Sequence, residues 1–215
     1  IPLLGGLAIY FGFLGGLLSH LAELQEFLPL LLAGTIILIV GLIDDVRKLS
    51  ARFRLVCQVL CALIIITAGE KISILPPNPV FDSIQIVVTV IWMVGVTNAY
   101  NYLDGMDGLA TGSAAINLFC FAAILFMTGQ EPLSLVCIIL LAACLGFLPY
   151  TFRNARIFLG DAGSTFLGFM LAGIALVGNW AEDSMVKVSI PLLIMGVPIF
   201  DMIFTTIMRI KEEKV

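Results

Sequence analysis

Eight apolar runs, separated by short polar segments, take up most of this 215-residue chain. A straight helix needs about 20 apolar residues to cross the hydrocarbon core of a bilayer, and several runs approach that length once their polar flanks are included. The chain is 60% hydrophobic and only 12% charged, whereas soluble domains carry about a quarter charged residues. The pattern predicts an all-α polytopic membrane protein with about eight transmembrane helices, at 3–19, 28–43, 53–69, 84–97, 109–128, 132–150, 163–178 and 188–208.

The runs follow one another without a linker or an internal repeat, so we interpret residues 1–215 as a single transmembrane domain. The Ile-Pro-Leu-Leu start and the end soon after an apolar run indicate a piece truncated at both ends. The segment EKISILPPNPVFDS places a Pro-Pro turn between β-compatible residues and predicts a small external β-hairpin near 71–82. All five cysteines lie inside apolar runs, which argues against a disulfide framework or a zinc site.

Basic residues are divided unevenly between the two sets of loops that eight crossings would create. One set, here called the first set, is rich in Lys and Arg. Such loops remain in the cytoplasm, so the first set is predicted to be cytoplasmic. It also holds three acidic groups: Asp44–Asp45, Asp104 with Asp107, and Asp161. The first set and its helix ends contain nine basic residues, Arg47, Lys48, Arg52, Arg54, Arg153, Arg156, Arg209, Lys211 and Lys214, and the second contains two, Lys71 and Lys187.

Five carboxylates at one membrane face would repel one another unless a cation lies among them. Mg²⁺ takes oxygen ligands, typically one or two carboxylates together with substrate phosphates. Arginine side chains match the geometry of phosphate groups, and Arg52, Arg54, Arg153 and Arg156 belong to the same loops. The combination indicates a site for a diphosphate and Mg²⁺, or Mn²⁺ in its place.

Two glycine-bearing segments carry most of these polar residues. In NAYNYLDGMDGLATG, Asn or Asp recurs every three residues from Asn98 to Asp107. A helix keeps the first three on roughly one face and turns Asp107 away, so a helix is predicted to end near Asp104–Gly105. FLGDAGSTFLG runs into another helix, whose start at Gly163–Ser164 would direct free N–H groups toward an anion.

Each acidic or amide motif also has a purely structural interpretation, and the residue chemistry alone leaves both open. The structural alternatives are a solvated helix end for Asp44–Asp45, hydrogen bonds between helices for Asn98 and Asn101, and a side-chain turn for Asp104 and Asp107.

Five segments together resemble the polyprenyl-phosphate N-acetylhexosamine-1-phosphate transferases, glycosyltransferase family 4, of the WecA/TagO-like type and related to MraY. They are IPLLGG, GLIDDVRKLSARFRLVCQ, NAYNYLDGMDGLATG, RIFLGDAGSTFLGF and PIFDM. The resemblance implies Mg²⁺-dependent transfer of a sugar 1-phosphate, GlcNAc-1-phosphate for this branch, from a UDP-sugar to undecaprenyl or another polyprenyl phosphate, with release of UMP. It further implies initiation of cell-wall or surface polysaccharide synthesis in the bacterial cytoplasmic membrane, with the site facing the cytoplasm. The implied partners are these substrates and the lipid bilayer, without nucleic acid, and a homodimer stays open.

The same resemblance implies roles for the matching residues. Asp161 and Asp104 would bind the metal, and Asp44 would deprotonate or orient the lipid phosphate. Arg52 stands where the family often has a lysine. The remaining implied positions are Asp45, Asp104 and Asp107 in the acidic catalytic site and Asn98, Asn101, Arg52, Gly160 and Arg156 in substrate binding.

Two other functions and one mechanistic question remain open at this point. A phospho-MurNAc-pentapeptide transferase would share the motifs, and a cation-coupled transporter would need acids near the middle of the membrane with broken helices. Asp201 is the one acid well inside a run, where it is either functional or paired with a base such as Arg209. For the transferase we expect a single displacement, with a covalent aspartyl-phosphate as the alternative.

Overall fold

The computed structural model describes residues 3–20, 25–74, 76, 78–152, 155–180 and 184–211. Within these ranges the chain forms α-helices and two short 3₁₀ turns, at Leu18–His20 and Gln25–Phe27, and no β-strand. The helices are α1 (Gly5–Leu17), α2 (Leu28–Arg47), α3 (Ala51–Thr67), α4 (Pro79–Leu103), α5 (Leu109–Met127), α6 (Glu131–Thr151), α7 (Gly160–Val177), α8 (Ser184–Ile194) and α9 (Gly196–Lys211).

The all-α polytopic membrane class is confirmed. Five helices among the described residues have the length and apolar composition of a membrane span: α2 with its preceding turn, α4, α5, α6 and α7. The predicted runs at 3–19 and 53–69 also form helices, but α1 is shorter and the 17-residue α3 carries two arginines.

Large apolar side chains cover much of the outer surface, as a lipid-facing surface requires. Leu32, Leu60, Ile91, Phe119 and Leu193 are each more than half exposed, on five different helices. Soluble monomers rarely expose so many large apolar side chains together. The exposed apolar surface therefore supports the assignment of this bundle to a membrane.

The eighth predicted span is wrong in one respect, because residues 188–208 form two helices instead of one. The chain breaks at Met195, between α8 and α9. Pro198 has no N–H to donate to the carbonyl of Ile194, and its ring crowds that carbonyl. The proline three residues after Met195 accounts for the break.

The predicted β-hairpin near 71–82 is also wrong. Residues 71–74 are irregular, and α4 already begins at Pro79, so the second half of the expected hairpin is helical. The Asn78 side chain accepts a hydrogen bond from the Val80 N–H at 3.0 Å. Asparagine before a proline is a strong helix-start signal, and here it outweighs the turn propensity of the adjacent prolines.

Helix α7 is the centre of the bundle and is buried along nearly its whole length. It packs against α1, α2, α4 and α5. Glycines make the closest crossings: a Cβ atom on Gly6 would overlap the backbone of Gly163, and one on Gly41 would overlap that of Ala162. Backbone contact between small residues is how membrane helices pack most tightly. These crossings hold the first turn of α7 against α1 and α2.

The helix ends that carry the acidic motifs meet at one end of the bundle. The Gly5 and Gly6 N–H groups donate to the carbonyls of Phe158 and Leu159, each at 3.0 Å, and join the start of α1 to the start of α7. The C-terminal ends of α2 and α4 and the N-terminal end of α3 lie at the same end. All five cysteines are free in this structure.

Candidate active site

The first turn of α7 presents Asp161. Gly160 has φ +77°, a left-handed conformation that favours glycine, and Leu159 before it provides no side-chain cap. The helix therefore begins three residues earlier than predicted, and Gly163 and Ser164 lie inside it. Gly160 contributes to the site through its backbone conformation.

The Asp45 carboxylate caps this turn. Its Oδ1 accepts a hydrogen bond from the Asp161 N–H at 2.8 Å, and its Oδ2 accepts one from the Ala162 N–H at 3.2 Å. A Cβ at Gly160 would lie only 2.8 Å from Asp45 Oδ2, so the approach also requires glycine. These N–H groups at the helix start therefore donate to a carboxylate of the protein, whereas the sequence predicted that such groups would face an external anion.

The Asp161 side chain is held by α4 and remains partly open to solvent. The Asn101 amide donates to Asp161 Oδ1 at 2.6 Å and to Ser164 Oγ at 3.1 Å. The Asp161 side chain is 27% exposed. Asn101 thus orients the carboxylate that is predicted to bind the metal, which joins two motifs separated by 60 residues.

Asp44 and Arg54 form an ion pair beside Asp161. Arg54 Nη1 lies 2.8 Å from Asp44 Oδ2 and 4.0 Å from Asp161 Oδ1. Asp44 is only 2% exposed and also accepts the backbone N–H of Leu49. Asp44 therefore has a basic side chain, Arg54, as its direct partner.

Asp104 lies immediately after α4, whose last residue is Leu103, next to the end predicted near Asp104–Gly105. Its carboxylate forms no hydrogen bond or ion pair with the described residues. Burial, and after it the negative charges of Asp161 and Asp45, together raise the pKa of this carboxyl to about 7. Within the described part of the chain, Asp104 is therefore a carboxylate without a hydrogen-bond or ion-pair partner, close to two others.

Asp107 stands apart from this group. Its side chain is exposed and accepts a hydrogen bond from the backbone N–H of Ala155 at 3.2 Å. Asp107 thus contacts the segment that leads to α7. The structure brings together Asp44, Asp45, Asp104 and Asp161, and leaves Asp107 at the edge.

Some of the predicted substrate-binding side chains form hydrogen bonds within the protein, and others are exposed. Asn98 donates its amide to Gln58 Oε1 at 2.7 Å and to the Val94 carbonyl at 2.8 Å, which matches the interhelical alternative for this residue. Arg52 and Arg156 are exposed at the same end of the bundle. Arg153 lies outside the described residues.

The sequence did not predict two contacts in this site, that of Arg54 with Asp44 and that of Gln58 with Asn98. The sequence predicts phosphate binding for Arg54, and its pairing with Asp44 follows only from the tight turn between α2 and α3. Gln58, which is 5% exposed, is a polar side chain one helical turn beyond Arg54. Its spacing of four residues from Arg54, within an apolar run, could have indicated that both side chains lie on one helix face. With Asp44, Asp161 and Thr165, these two residues line a cavity of about 10 Å³, the scale of a single water.

Of the two alternatives for Asp201, the pairing with Arg209 is not formed. Asp201 is half-buried in α9, and the Arg209 guanidinium lies over the ring of Tyr102, 5.1 Å from its centroid. A cation over an aromatic face is attracted by the ring quadrupole. This contact joins the end of α9 to the end of α4.

The donor set fits Mg²⁺ better than a closed protein metal cage. In the described part of the chain, no group of three or more His, Cys, Asp or Glu side chains is arranged to hold a metal ion. Mg²⁺ typically takes only one or two carboxylates and completes its shell with water and substrate phosphate. Asp161, partly exposed, and Asp104, which pairs with no described residue and has a raised pKa, are two carboxylates of this kind.

Comparison with known protein families identifies the family of this chain. The profile of glycosyl transferase family 4 matches residues 27–179, which include α2 to α7 and every clustered acid. The chain belongs to glycosyl transferase family 4. The family resemblance proposed from the sequence motifs is confirmed.

Two similar proteins extend the match over nearly the whole chain. A probable undecaprenyl-phosphate N-acetylglucosaminyl 1-phosphate transferase of Bacillus subtilis is 35% identical over 100% of this chain and 62% of its own length. A decaprenyl-phosphate N-acetylglucosaminephosphotransferase of Mycobacterium tuberculosis is 32% identical over 99% of this chain and 61% of its own. The chain thus spans about three fifths of these relatives.

A third family member matches a shorter stretch. A phospho-N-acetylmuramoyl-pentapeptide-transferase of Staphylococcus aureus is 44% identical over 94 residues, which is 44% of this chain and 29% of that protein.

Proposed function

We propose that the protein containing this chain transfers N-acetylglucosamine 1-phosphate from a UDP-sugar to a polyprenyl phosphate and releases UMP. The observation that carries the proposal is the convergence of Asp161, Asn101, Asp104 and the Asp44–Arg54 pair at one end of an apolar bundle. A lipid phosphate can reach protein groups only near a membrane surface, and the cluster lies where such a phosphate would arrive.

In the proposed reaction, an oxygen of the lipid phosphate bonds to the sugar-bearing phosphorus of the donor. The bridging bond to the uridine-bearing phosphate breaks, and that phosphate leaves as UMP. Reactions of this type depend on positioning and on neutralisation of developing charge more than on covalent chemistry by the protein. Mg²⁺, when bound, would supply charge neutralisation and orientation for the diphosphate.

Each clustered residue has a distinct task in this proposal. Asp161 and Asp104 would hold Mg²⁺, and Asn101 keeps the Asp161 carboxylate in place. Arg54 would face the phosphates from beside Asp161, held there by Asp44. Because Asp44 is almost fully buried, orienting Arg54 suits it better than direct proton transfer with the lipid phosphate.

Two exposed arginines and the membrane orientation complete the proposal. Arg52 and Arg156 would contact phosphate oxygens at the rim of the site. The predicted cytoplasmic orientation of this rim rests on the nine basic residues of its loops against two at the other end. The bacterial cytoplasmic membrane is the proposed location.

The choice of GlcNAc is supported by the names of the two relatives that match nearly the whole chain. The pentapeptide transferase matches less than half of it. A cation-coupled transporter is less favoured, because the clustered carboxylates lie at helix ends and only Asp201 lies well inside the last run.

The proposal is tested with the purified full-length protein in detergent, supplied with polyprenyl phosphate, Mg²⁺ and one donor at a time. UMP release from UDP-GlcNAc, but not from UDP-MurNAc-pentapeptide, is the expected result. Release only from the pentapeptide donor would move the protein to the other branch. No release from either donor would reject the proposed substrates.

A further inference from the structure

Asp44 and Asp45 are consecutive residues, yet their carboxylates serve different parts of the molecule. Asp44 contacts α3 and the turn before it, through Arg54 and the Leu49 N–H. Asp45 contacts the first turn of α7, through the N–H groups of Asp161 and Ala162. The family resemblance placed both in the catalytic centre, but the contacts separate them.

The first turn of α7 depends on this remote carboxylate. Four N–H groups at a helix start have no partner within the helix, and a negative charge there is favourable. Leu159, at the cap position, offers no side-chain acceptor. Asp45 supplies both acceptor oxygens and the charge, from a position 116 residues earlier in the chain.

The approach of Asp45 to α7 is built into α2. Gly41 lies one turn before Asp45 and packs directly against the Ala162 backbone. Gly160, with its positive φ, leaves room for the carboxylate on the other side. Both glycines thus permit the distance at which the two hydrogen bonds form.

We infer that Asp45 is a positioning residue that fixes the first turn of α7 and thereby aims the Asp161 carboxylate at Asn101. The inference rests on the proposed function, since it assigns Asp45 to the support of the proposed metal ligand and not to the reacting atoms. Asp161 has its own backbone N–H on Asp45 and its carboxylate on Asn101. Loss of the first contact would free the residue whose side chain makes the second.

Hydrogen exchange of the full-length protein in detergent tests the contact without any substrate. Asp45→Ala should accelerate exchange of the Asp161 and Ala162 amides by about tenfold or more, the scale of a charge-assisted hydrogen bond. Asp45→Asn, which keeps one carbonyl oxygen, should give an intermediate acceleration. Asp44→Asn is the matched control, and it should accelerate exchange at Leu49 while leaving the α7 amides unchanged.

UMP release by the same variants then distinguishes positioning from proton transfer. A positioning role predicts that Asp45→Asn keeps more activity than Asp45→Ala and needs a higher Mg²⁺ concentration for half-maximal rate. Gly95→Ala, a change in open space on α4, should leave that Mg²⁺ concentration unchanged.

Equal inactivity of Asp45→Asn and Asp45→Ala, with unchanged exchange at Asp161 and Ala162, would overturn the inference. If Asp45→Ala fails to fold, Asp45→Asn carries the same comparison. Absence of UMP from the wild-type protein, with the exchange contrast intact, would reject the proposed reaction and leave the capping contact standing.

Discussion

Replacement of Gly41 by alanine should disable the site while adding only one methyl group. An alanine Cβ at this position would overlap the Ala162 Cα and lie 2.8 Å from the Ala162 nitrogen and 3.0 Å from the Asp161 carbonyl oxygen. Ordinary contacts of a Cβ begin at 3.4 Å, so the helices must separate by at least 0.6 Å, the difference between 3.4 and 2.8 Å. No side chain can rotate away, because all three atoms belong to the backbone.

The displacement acts directly on the capped turn. Adding it to the 2.8 Å bond between Asp45 and the Asp161 N–H would stretch that bond to about 3.4 Å, beyond the usual range for such bonds. Overpacking of this kind costs about 1–3 kcal/mol of stability. A misplacement of about 1 Å at a reacting centre can lower the rate about a hundredfold.

Gly95→Ala is the matched control, because Gly95 also lies in a membrane-spanning helix and a Cβ there meets nothing within 4 Å. The assay is UMP release together with the melting temperature of the full-length protein in detergent. We expect Gly41→Ala to lose both activity and thermal stability, and Gly95→Ala to keep both. Wild-type activity in Gly41→Ala would refute the close packing on which the geometry of the site depends.

Three further predictions concern polar groups of the site. Arg54→Gln leaves Asp44 buried without its cation and should lower stability by about 1–3 kcal/mol, with partial recovery in Arg54→Lys; an unchanged melting temperature would contradict the pair. Gln58→Leu removes the acceptor of the Asn98 amide and should cost about 0.6–2 kcal/mol, measured by thermal unfolding, with a smaller loss of UMP release than for Arg54→Gln. Because the folded-state pKa of Asp104 is raised to about 7, its contribution to stability without metal is greatest below pH 4 and falls as pH rises through 7. Mg²⁺ should therefore raise the melting temperature more at pH 8 than at pH 6, and equal shifts would argue against Asp104 as a ligand.

Local signals predicted the helices and one important boundary. The change from a helical face to glycine-bearing turns predicted the end of α4 near Asp104–Gly105, and the helix ends at Leu103. Where two local signals competed, the prediction was wrong: a helix starts at Asn78–Pro79, although the preceding prolines indicated a turn. Pro198 likewise divided the last apolar run, which hydropathy alone treats as continuous.

Contacts between distant segments were less accessible from the sequence. Motif resemblance correctly grouped Asn101 with Asp161, but it gave no reason to separate Asp44 from Asp45, which are adjacent and chemically identical. Their different roles come from the direction in which each leaves α2, and from the glycine crossing that brings α7 within reach of only one of them. Such a distinction depends on packing between helices, which no local pattern encodes.

We propose that the carboxylates at one end of the bundle form the catalytic site, with Asp161 at its centre. The most direct test compares UMP release from UDP-GlcNAc by full-length wild type, Asp161→Asn and Asp201→Asn in Mg²⁺, with hydrogen exchange as the control for folding. We predict a loss of about a hundredfold or more in Asp161→Asn and a much smaller change in Asp201→Asn. Wild-type activity in a folded Asp161→Asn variant would contradict the claim.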